Sequence, residues 1–427
     1  MNRRKRCELA RIPEKLRERL RSYSRLLAPV WICLMAVILS LAGCRGTAGE
    51  DEKSWKSGMD WSRELTRTGQ LELQYAENFA VDFYEGGYAG IQIMDGSSFL
   101  VVPEGGTVPE DLPEDVAVLQ QPLVNVYLVA TAAMDMFREL DALSSIRFSG
   151  TAAQGWYIPQ AREAMERGDI LYAGKYSEPD YEKILAEGCS LAVENTMINH
   201  VPEVREKLEQ FGIPVLVDYS SYETHPLGRA EWIRLYGVLT GNREGAEQAF
   251  AAQNEAFMRV EQLQSVEPGQ LESDRGESGQ QGSGRRPVVA FFYVTANGSV
   301  SVRKASDYVA ELIEMAGGRY LFEDLGAGKG RSSSVTMQME EFYSAAKEAD
   351  YMIYNSTVDG ELQTVKELVD MAPVLADCRA VQEGNVWCTT KNLYQESLSA
   401  GPMLEDIYGM LEEKRERGRY LYRLREE

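Results

Sequence analysis

Side chains that bind metals or shuttle protons near neutral pH are scarce in this chain. Its 427 residues hold two histidines, His200 in ENTMINH and His225 in ETHPLGRAEW. Two imidazoles leave little for histidine-based acid–base catalysis. No HExxH, GxSxG or CxxC pattern occurs. The stretch LGAGKGRSSS (325–334) resembles a phosphate loop but fails as one, because Lys329 is followed by Gly330 rather than Ser or Thr. Asp and Glu are abundant, so a carboxylate-only cell-surface hydrolase stays open. It needs an Asp/Glu pair about 5–10 Å apart across one pocket. His225 admits three readings: a metal ligand, a polar contact to a bound small molecule, or a brace for its loop. In the last, Pro226 fixes the backbone and Gly228 lets it turn. The brace is the plainest of the three. Met197 and His200 are a weaker pair of metal-ligand candidates.

The elements that must position these residues follow from periodicity. FAVDFY, YAGIQIM and SFLVVPEG alternate apolar and polar residues between Gly and Asp-Gly turns, which predicts a β-meander over 71–121. From Pro122 strands alternate with helices (ILYAG, PDYEKILAEG, SLAVEN, VPEVREKLEQFG, IPVLVDY), the pattern of a parallel doubly wound sheet over 122–241. Residues 242–264 read as one helix, about 34 Å long. Residues 265–286 are polar and Gly/Ser-rich and read as a flexible insertion. A second α/β lobe follows over 287–427, from the strand VVAFFYV to a closing helix PMLEDIYGMLEEKRERGRYLYRL. The predicted fold class is therefore α/β, with two doubly wound lobes joined by one long α-helix and a β-meander at the start of the first lobe. Ligands of such sheets bind at strand carboxyl ends. Trp156, Tyr157, Tyr222 and Tyr394 lie in those loops and suit stacking on a flat or hydrophobic ligand. Arg229, Arg303 and Lys304 would offset an anionic ligand. Asn297, Ser301, Asn355 and Thr357 add neutral donors.

The net charge of −21 understates the acidity. Removing the ten basic and three acidic residues of positions 1–43 leaves 35 against 63, a net of −28. A surface so negative repels phosphate backbones and speaks against nucleic acid as a partner. Residues 1–43 read as a secretory signal, basic up to Arg25 and then apolar from Leu26 to Gly43. The run ends in LAGC, which looks like a bacterial lipobox and makes Cys44 the lipid-modified residue. An uncleaved membrane anchor is the alternative. Residues 44–70 read as a tether. Of six cysteines only Cys189, Cys378 and Cys388 remain in the body of the chain, too few for a disulfide framework. Cys378 and Cys388 are read either as one bridge or as two buried thiols.

This order of parts resembles the substrate-binding lipoproteins of iron–siderophore, haem and cobalamin ABC importers. The segments that carry it are AGKYSEPDYEKILAEGCSLAVEN, GIPVLVDYSSYETHPLGRAEWIRLYGVLTG, AGGRYLFED, TMQMEEFYSAAKEADYMIYN and AVQEGNVW. It covers roughly residues 122–411 apart from the insertion, and rests on order and spacing. The β-meander has no place in it. The resemblance implies a lipid-anchored, monomeric receptor on the extracytoplasmic face of the membrane. Such a receptor carries out no catalysis and has no cofactor. It would hold an iron chelate between its lobes and pass it to an ABC permease dimer. Haem or cobalamin is the alternative cargo, and an adhesion scaffold the remaining non-enzymatic reading. The resemblance also implies permease docking through one glutamate per lobe, Glu182 and Glu340, with Glu341 a near competitor.

Overall fold

The computed structural model describes residues 61–265, 285–326, 333–358 and 360–427. The signal segment, Cys44, the tether as far as residue 60, insertion residues 266–284 and loop residues 327–332 lie outside the described residues.

The first sheet holds β1 (Arg67–Gln70), β2 (Phe79–Tyr84), β3 (Ala89–Ile93), β4 (Ser98–Val102) and β5 (Val116–Gln120), in that order. β1 to β4 are antiparallel neighbours, whereas β5 returns to pair parallel with β4. This is more than a meander, and it begins earlier than expected. β1 falls within the stretch read as tether, and Trp61 packs on Leu100 and Val102. A Cβ on Gly90 would lie 2.7 Å from the Trp61 ring, so glycine makes room for that indole. The opposite face, with Phe79, Val81, Ile91, Phe99 and Leu119, joins the core of the first lobe.

That lobe is built on β6 (Val126–Leu128), β7 (Ile146–Ser149), β8 (Leu171–Tyr172), β11 (Ala192–Asn195) and β12 (Val215–Asp218). The sheet is parallel throughout, in the order β12-β11-β6-β7-β8. A small hairpin, β9 (Gly174–Lys175) with β10 (Glu178–Pro179), follows β8. The chain runs outward from β6 to β8, then returns to β11 on the other side. The loops after β6 and β11 therefore diverge, and this switch point opens a crevice.

The second lobe contains β13 (Val288–Val294), β14 (Val300–Arg303), β15 (Arg319–Tyr320), β16 (Ser334–Met337), β17 (Tyr351–Tyr354), β18 (Val386–Thr389) and β19 (Leu421–Arg423). β13, β17 and β18 are parallel, with β15 also alongside β13; β14, β16 and β19 join by antiparallel pairing. Two expectations are corrected here. TMQMEEFYSAAKEA has the spacing of a helix throughout, but Thr336 and Met337 end strand β16 and the helix begins only at Met339. The closing helix stops at Leu411, and the tail folds back as β19. The buried Asp406 carboxylate accepts from Tyr420 N–H at 2.6 Å and Leu421 N–H at 3.2 Å, which holds that tail on the sheet edge.

The expected fold class holds: two α/β lobes and a 23-residue helix, Arg243–Ser265, between them. This helix packs on Pro226–Thr240 of the first lobe and Ala400–Leu411 of the second. Gln253 Oε1 takes Gly401 N–H at 2.9 Å, and Arg259 pairs with Glu405 at 2.8 Å. Cys378 and Cys388 are free, buried thiols, so the bridge is not formed.

Two buried glutamates tie the first sheet to the lobe. Glu231 accepts the N–H groups of Gln74 (2.9 Å), Tyr75 (2.8 Å) and Ala76 (2.8 Å). Glu223 accepts those of Glu77 (2.9 Å) and Asn78 (3.0 Å), and also Trp232 Nε1–H at 2.9 Å. Five consecutive N–H groups thus end on two carboxylates. Gly228 is required by this close approach rather than by a turn, since a Cβ there would sit 3.2 Å from the Tyr75 carbonyl oxygen. Because hydrogen bonds to a charged acceptor contribute about 1.5–3 kcal/mol each, Glu231→Gln should lower the unfolding free energy by about 3 kcal/mol. Urea unfolding checks this; an unchanged midpoint would show that the strap contributes nothing.

Candidate functional site

The loops at the carboxyl ends of both parallel sheets meet between the lobes. Their floor is fixed by hydrogen bonds that cross from one lobe to the other. Gln395 Oε1 accepts Tyr157 N–H at 2.7 Å while its Nε2 donates to Gly155 O at 2.7 Å. Ser397 Oγ donates to Ala132 O at 2.8 Å, and Leu398 N–H donates to Asp135 at 3.0 Å. Burial raises the Asp135 carboxyl above its ordinary range, against the pull of Arg138 beside it.

Above this floor stands an aromatic and cationic group. Tyr157 and Tyr394 meet edge to face with ring centroids 6.3 Å apart. Lys391 Nζ donates to the Tyr157 hydroxyl at 3.2 Å, and Gln395 Nε2 donates to the Tyr394 hydroxyl at 3.1 Å. Both phenol oxygens are thereby used as acceptors, which leaves their O–H groups to donate. Burial raises the Tyr394 phenol further, so it keeps its proton. The group as a whole offers donors and positive charge to a ligand oxygen. Sequence reasoning missed Lys391 and Gln395. Their signal was their place in TTKNLYQES, directly after the strand VWCT.

The other expected residues fall in several places. Trp156 is a correction. It is 1% exposed, and its indole N–H donates to Ser149 Oγ at 3.1 Å, so it is core rather than cleft wall. Tyr222 is half-buried and packs against Tyr219 with centroids 5.4 Å apart. Met197 is 44% exposed in the loop after β11, and His200 is exposed nearby. Arg229 lies over the Tyr308 ring at 4.1 Å, bridging the lobes. Arg303 is a second correction. β14 runs against β13, which sets Arg303 back from the carboxyl edge, where it meets Asp307 at 3.7 Å. Lys304 follows it and is half-buried. Asn297 is exposed at the hairpin tip, and its carbonyl accepts Ser299 N–H at 3.2 Å. Ser301 and Asn355 are buried, and Asn355 accepts from the Thr357 hydroxyl.

His225 is the N-cap of helix Pro226–Thr240. Its Nδ1 accepts Leu227 N–H at 3.1 Å, and its ring stacks on Tyr75 with centroids 4.4 Å apart. Nε2 faces Glu311 of the second lobe at 3.8 Å, beyond hydrogen-bond range. The loop brace is the role this geometry describes. Beside it a pocket of about 300 Å³ is lined by Glu311, Glu314 and Glu323 with Thr224 and Ser306, a poor match for an anionic ligand. Among the described residues no cluster of three or more His, Cys, Asp or Glu could hold a metal ion.

Glu182 and Glu340 are both exposed, each in the first turn of a helix. Helix Tyr181–Ala186 follows the hairpin after β8. Helix Met339–Ala346 follows β16, which runs in the direction of β13. Both helices therefore start at the carboxyl edge of their sheets.

No protein-family profile matches the chain. Its similarities lie with whole proteins. The uncharacterized lipoprotein MJ0878 of Methanocaldococcus jannaschii is 23% identical over 318 residues, 71% of this chain and 69% of that protein. The uncharacterized lipoprotein MJ0872 of the same organism is 21% identical, over 85% of this chain and 89% of its own length. Among solved structures, a periplasmic heme-binding protein from Pseudomonas aeruginosa superposes with a TM-score of 0.52 and 16% identity. That match covers 70% of this chain and 97% of the other. The chain has the two-lobed fold of the periplasmic binding proteins. A periplasmic binding protein from Veillonella parvula matches similarly, at TM-score 0.50 and 14% identity over 67% and 91% of the two chains.

Burial lowers the His225 pKa below its ordinary 6.5. The neutral, capping form is therefore favoured in the folded state. Its contribution is complete above about 6.5 and is lost as pH falls through the lower folded value. His225→Ala should cost about 1 kcal/mol at neutral pH. His225→Asn, still a capping residue, should retain most of the stability and lose part of the acid slope. Urea midpoints at pH 7.5 and 5.5 check both; an Asn variant with the wild-type slope would remove His225 from the acid response.

Proposed function

We propose that the protein is a lipid-anchored extracytoplasmic receptor that binds a ferric siderophore between its lobes and delivers it to an ABC permease. The observation that carries this reading is the group formed by Lys391, Tyr157 and Tyr394. It is a flat-sided, proton-donating and positively charged patch in an otherwise acidic protein, and it suits an iron chelate rich in anionic oxygen. The periplasmic-binding-protein fold supports capture between lobes, and the relatives named lipoproteins support an anchor at Cys44. Catalysis has no apparent machinery at this group. Glu361, the carboxylate beside it, is occupied by Lys391 N–H at 2.8 Å and the Tyr422 hydroxyl at 3.4 Å. Tyr222, Met197, Arg229, Asn297 and Asn355 would complete the wall, with Arg229 turning from Tyr308 to the ligand. Glu182 and Glu340 would set docking register on the permease, one from each lobe.

Haem is the second reading. The Tyr157 phenol and the exposed Met197 favour it, and the Pseudomonas aeruginosa protein is named for that ligand. His225 is an unsuitable iron ligand here, because its Nδ1 is engaged as a helix cap and its Nε2 looks toward Glu311.

Tryptophan fluorescence titration of the chain from Arg45 onward separates these readings. The panel is ferric catecholate, ferric hydroxamate, ferric citrate, haem and cobalamin. Saturable quenching by a ferric chelate is expected, weakened roughly ten- to hundredfold by Lys391→Met, the loss of one charged hydrogen bond. Saturation by haem alone, lost in Tyr157→Phe, would replace the siderophore reading with the second. Binding of none of the five would defeat the receptor reading.

A further inference from the structure

Glu194 has no part in the site described above, and its surroundings are unusual. It is the third residue of β11, an interior strand of the parallel sheet between β12 and β6, with Val217 of β12 beside it in register. It is 0% exposed, and neither carboxylate oxygen has a hydrogen-bond partner among the described residues. Buried carboxylates are ordinarily paired, because an isolated charge in an apolar interior is too costly to keep.

The groups around Glu194 do not supply a counter-charge. From β6 comes Tyr127, whose hydroxyl donates away to Gly174 O at 2.8 Å. Helix Tyr181–Ala186 contributes Tyr181, close enough for the Glu194 charge to raise its phenol, though burial raises it more. Helix Pro202–Gln210 brings Glu203, a like charge that also acts on Tyr181, and Lys207. The Lys207 ammonium sits over the Tyr181 ring, 4.0 Å from its centroid. Cys189, behind Tyr127, points its thiol at Leu191 O at 3.5 Å. Tyr172 of β8 also acts on Tyr127. Only a neutral carboxyl sits comfortably here, and burial pushes the Glu194 pKa up to about 8.

We propose that Glu194 is a proton-dependent latch: neutral, it lets helices Tyr181–Ala186 and Pro202–Gln210 close over β11, and on losing its proton it drives that layer open to admit water. The first of these helices presents Glu182. An alkaline medium would therefore loosen one of the two docking points, a consequence that rests on the docking role proposed above. The latch itself does not depend on it.

The sign follows from proton counting. An opened, hydrated Glu194 regains its ordinary pKa of 4.5, whereas the closed form holds its proton to about 8. Between those values closing takes up one proton, so the opening equilibrium rises about tenfold per pH unit and levels off above 8. Hydrogen exchange of residues 181–186 and 202–210 in the full chain, divided by the intrinsic rate at each pH, reads this equilibrium. The expected result is a tenfold rise per unit between pH 5.5 and 8 in the wild type, and no pH dependence in Glu194→Gln. Glu194→Leu, which cannot ionise, serves as the second variant should the amide fail to fold. A flat wild-type profile would overturn the proposal, and so would the wild-type slope persisting in both variants. Permease affinity plays no part in this measurement, so its outcome is independent of the docking assignment.

Discussion

Two carboxylates hold the first sheet, β1 to β5, against the lobe that follows it. Glu223 and Glu231 stand eight residues apart on one side of the loop and helix after β12, and between them they collect every N–H from Gln74 to Asn78. Burial raises the Glu223 carboxyl, yet the N–H donors and the Trp232 indole oppose that shift and favour its charge. A run of backbone donors aimed at one anion is the geometry of an anion nest, here filled from within the chain. With the strap seated, Tyr75 stacks under His225 and the apolar face of the first sheet closes the lobe core. ETHPLGRAEW is therefore a structural clasp. Its two glutamates hold, its histidine caps, and its glycine lets the strap approach.

The cleft depends on a similar economy of polar groups. One side-chain amide, that of Gln395, both accepts and donates across the lobes, so the loop bearing Tyr157 takes its position from the second lobe. The long helix adds a further connection through Gln253 and Arg259. The two lobes are thus joined both at the floor of the cleft and along the helix.

Much of this architecture was legible in the sequence because it is periodic. Strand–helix alternation, the uninterrupted pattern of residues 242–264 and the turn signals of the first sheet each report a local preference. What escaped depends on distant partners. RYLYRL has the alternation of a strand, but only Asp406 and the open edge of β18 decide that it leaves the helix. Trp156 has the composition of a cleft aromatic, yet Ser149 and Thr151 draw its indole inward. Arg303 sits near a strand end, and antiparallel pairing puts that end on the wrong side. Lys391 drew no notice because a lone lysine in a loop has no signature until Tyr157 stands beside it. Glu223 and Glu231 accept from backbone donors about 150 residues away, a pairing that leaves no local mark.

The thiols carry a consequence for how the protein matures. Burial pushes Cys189, Cys378 and Cys388 each up to about 11, so at neutral pH they stay thiols rather than reactive thiolates. Among the described residues these three thiols are free, so the packing around them closes without a disulfide.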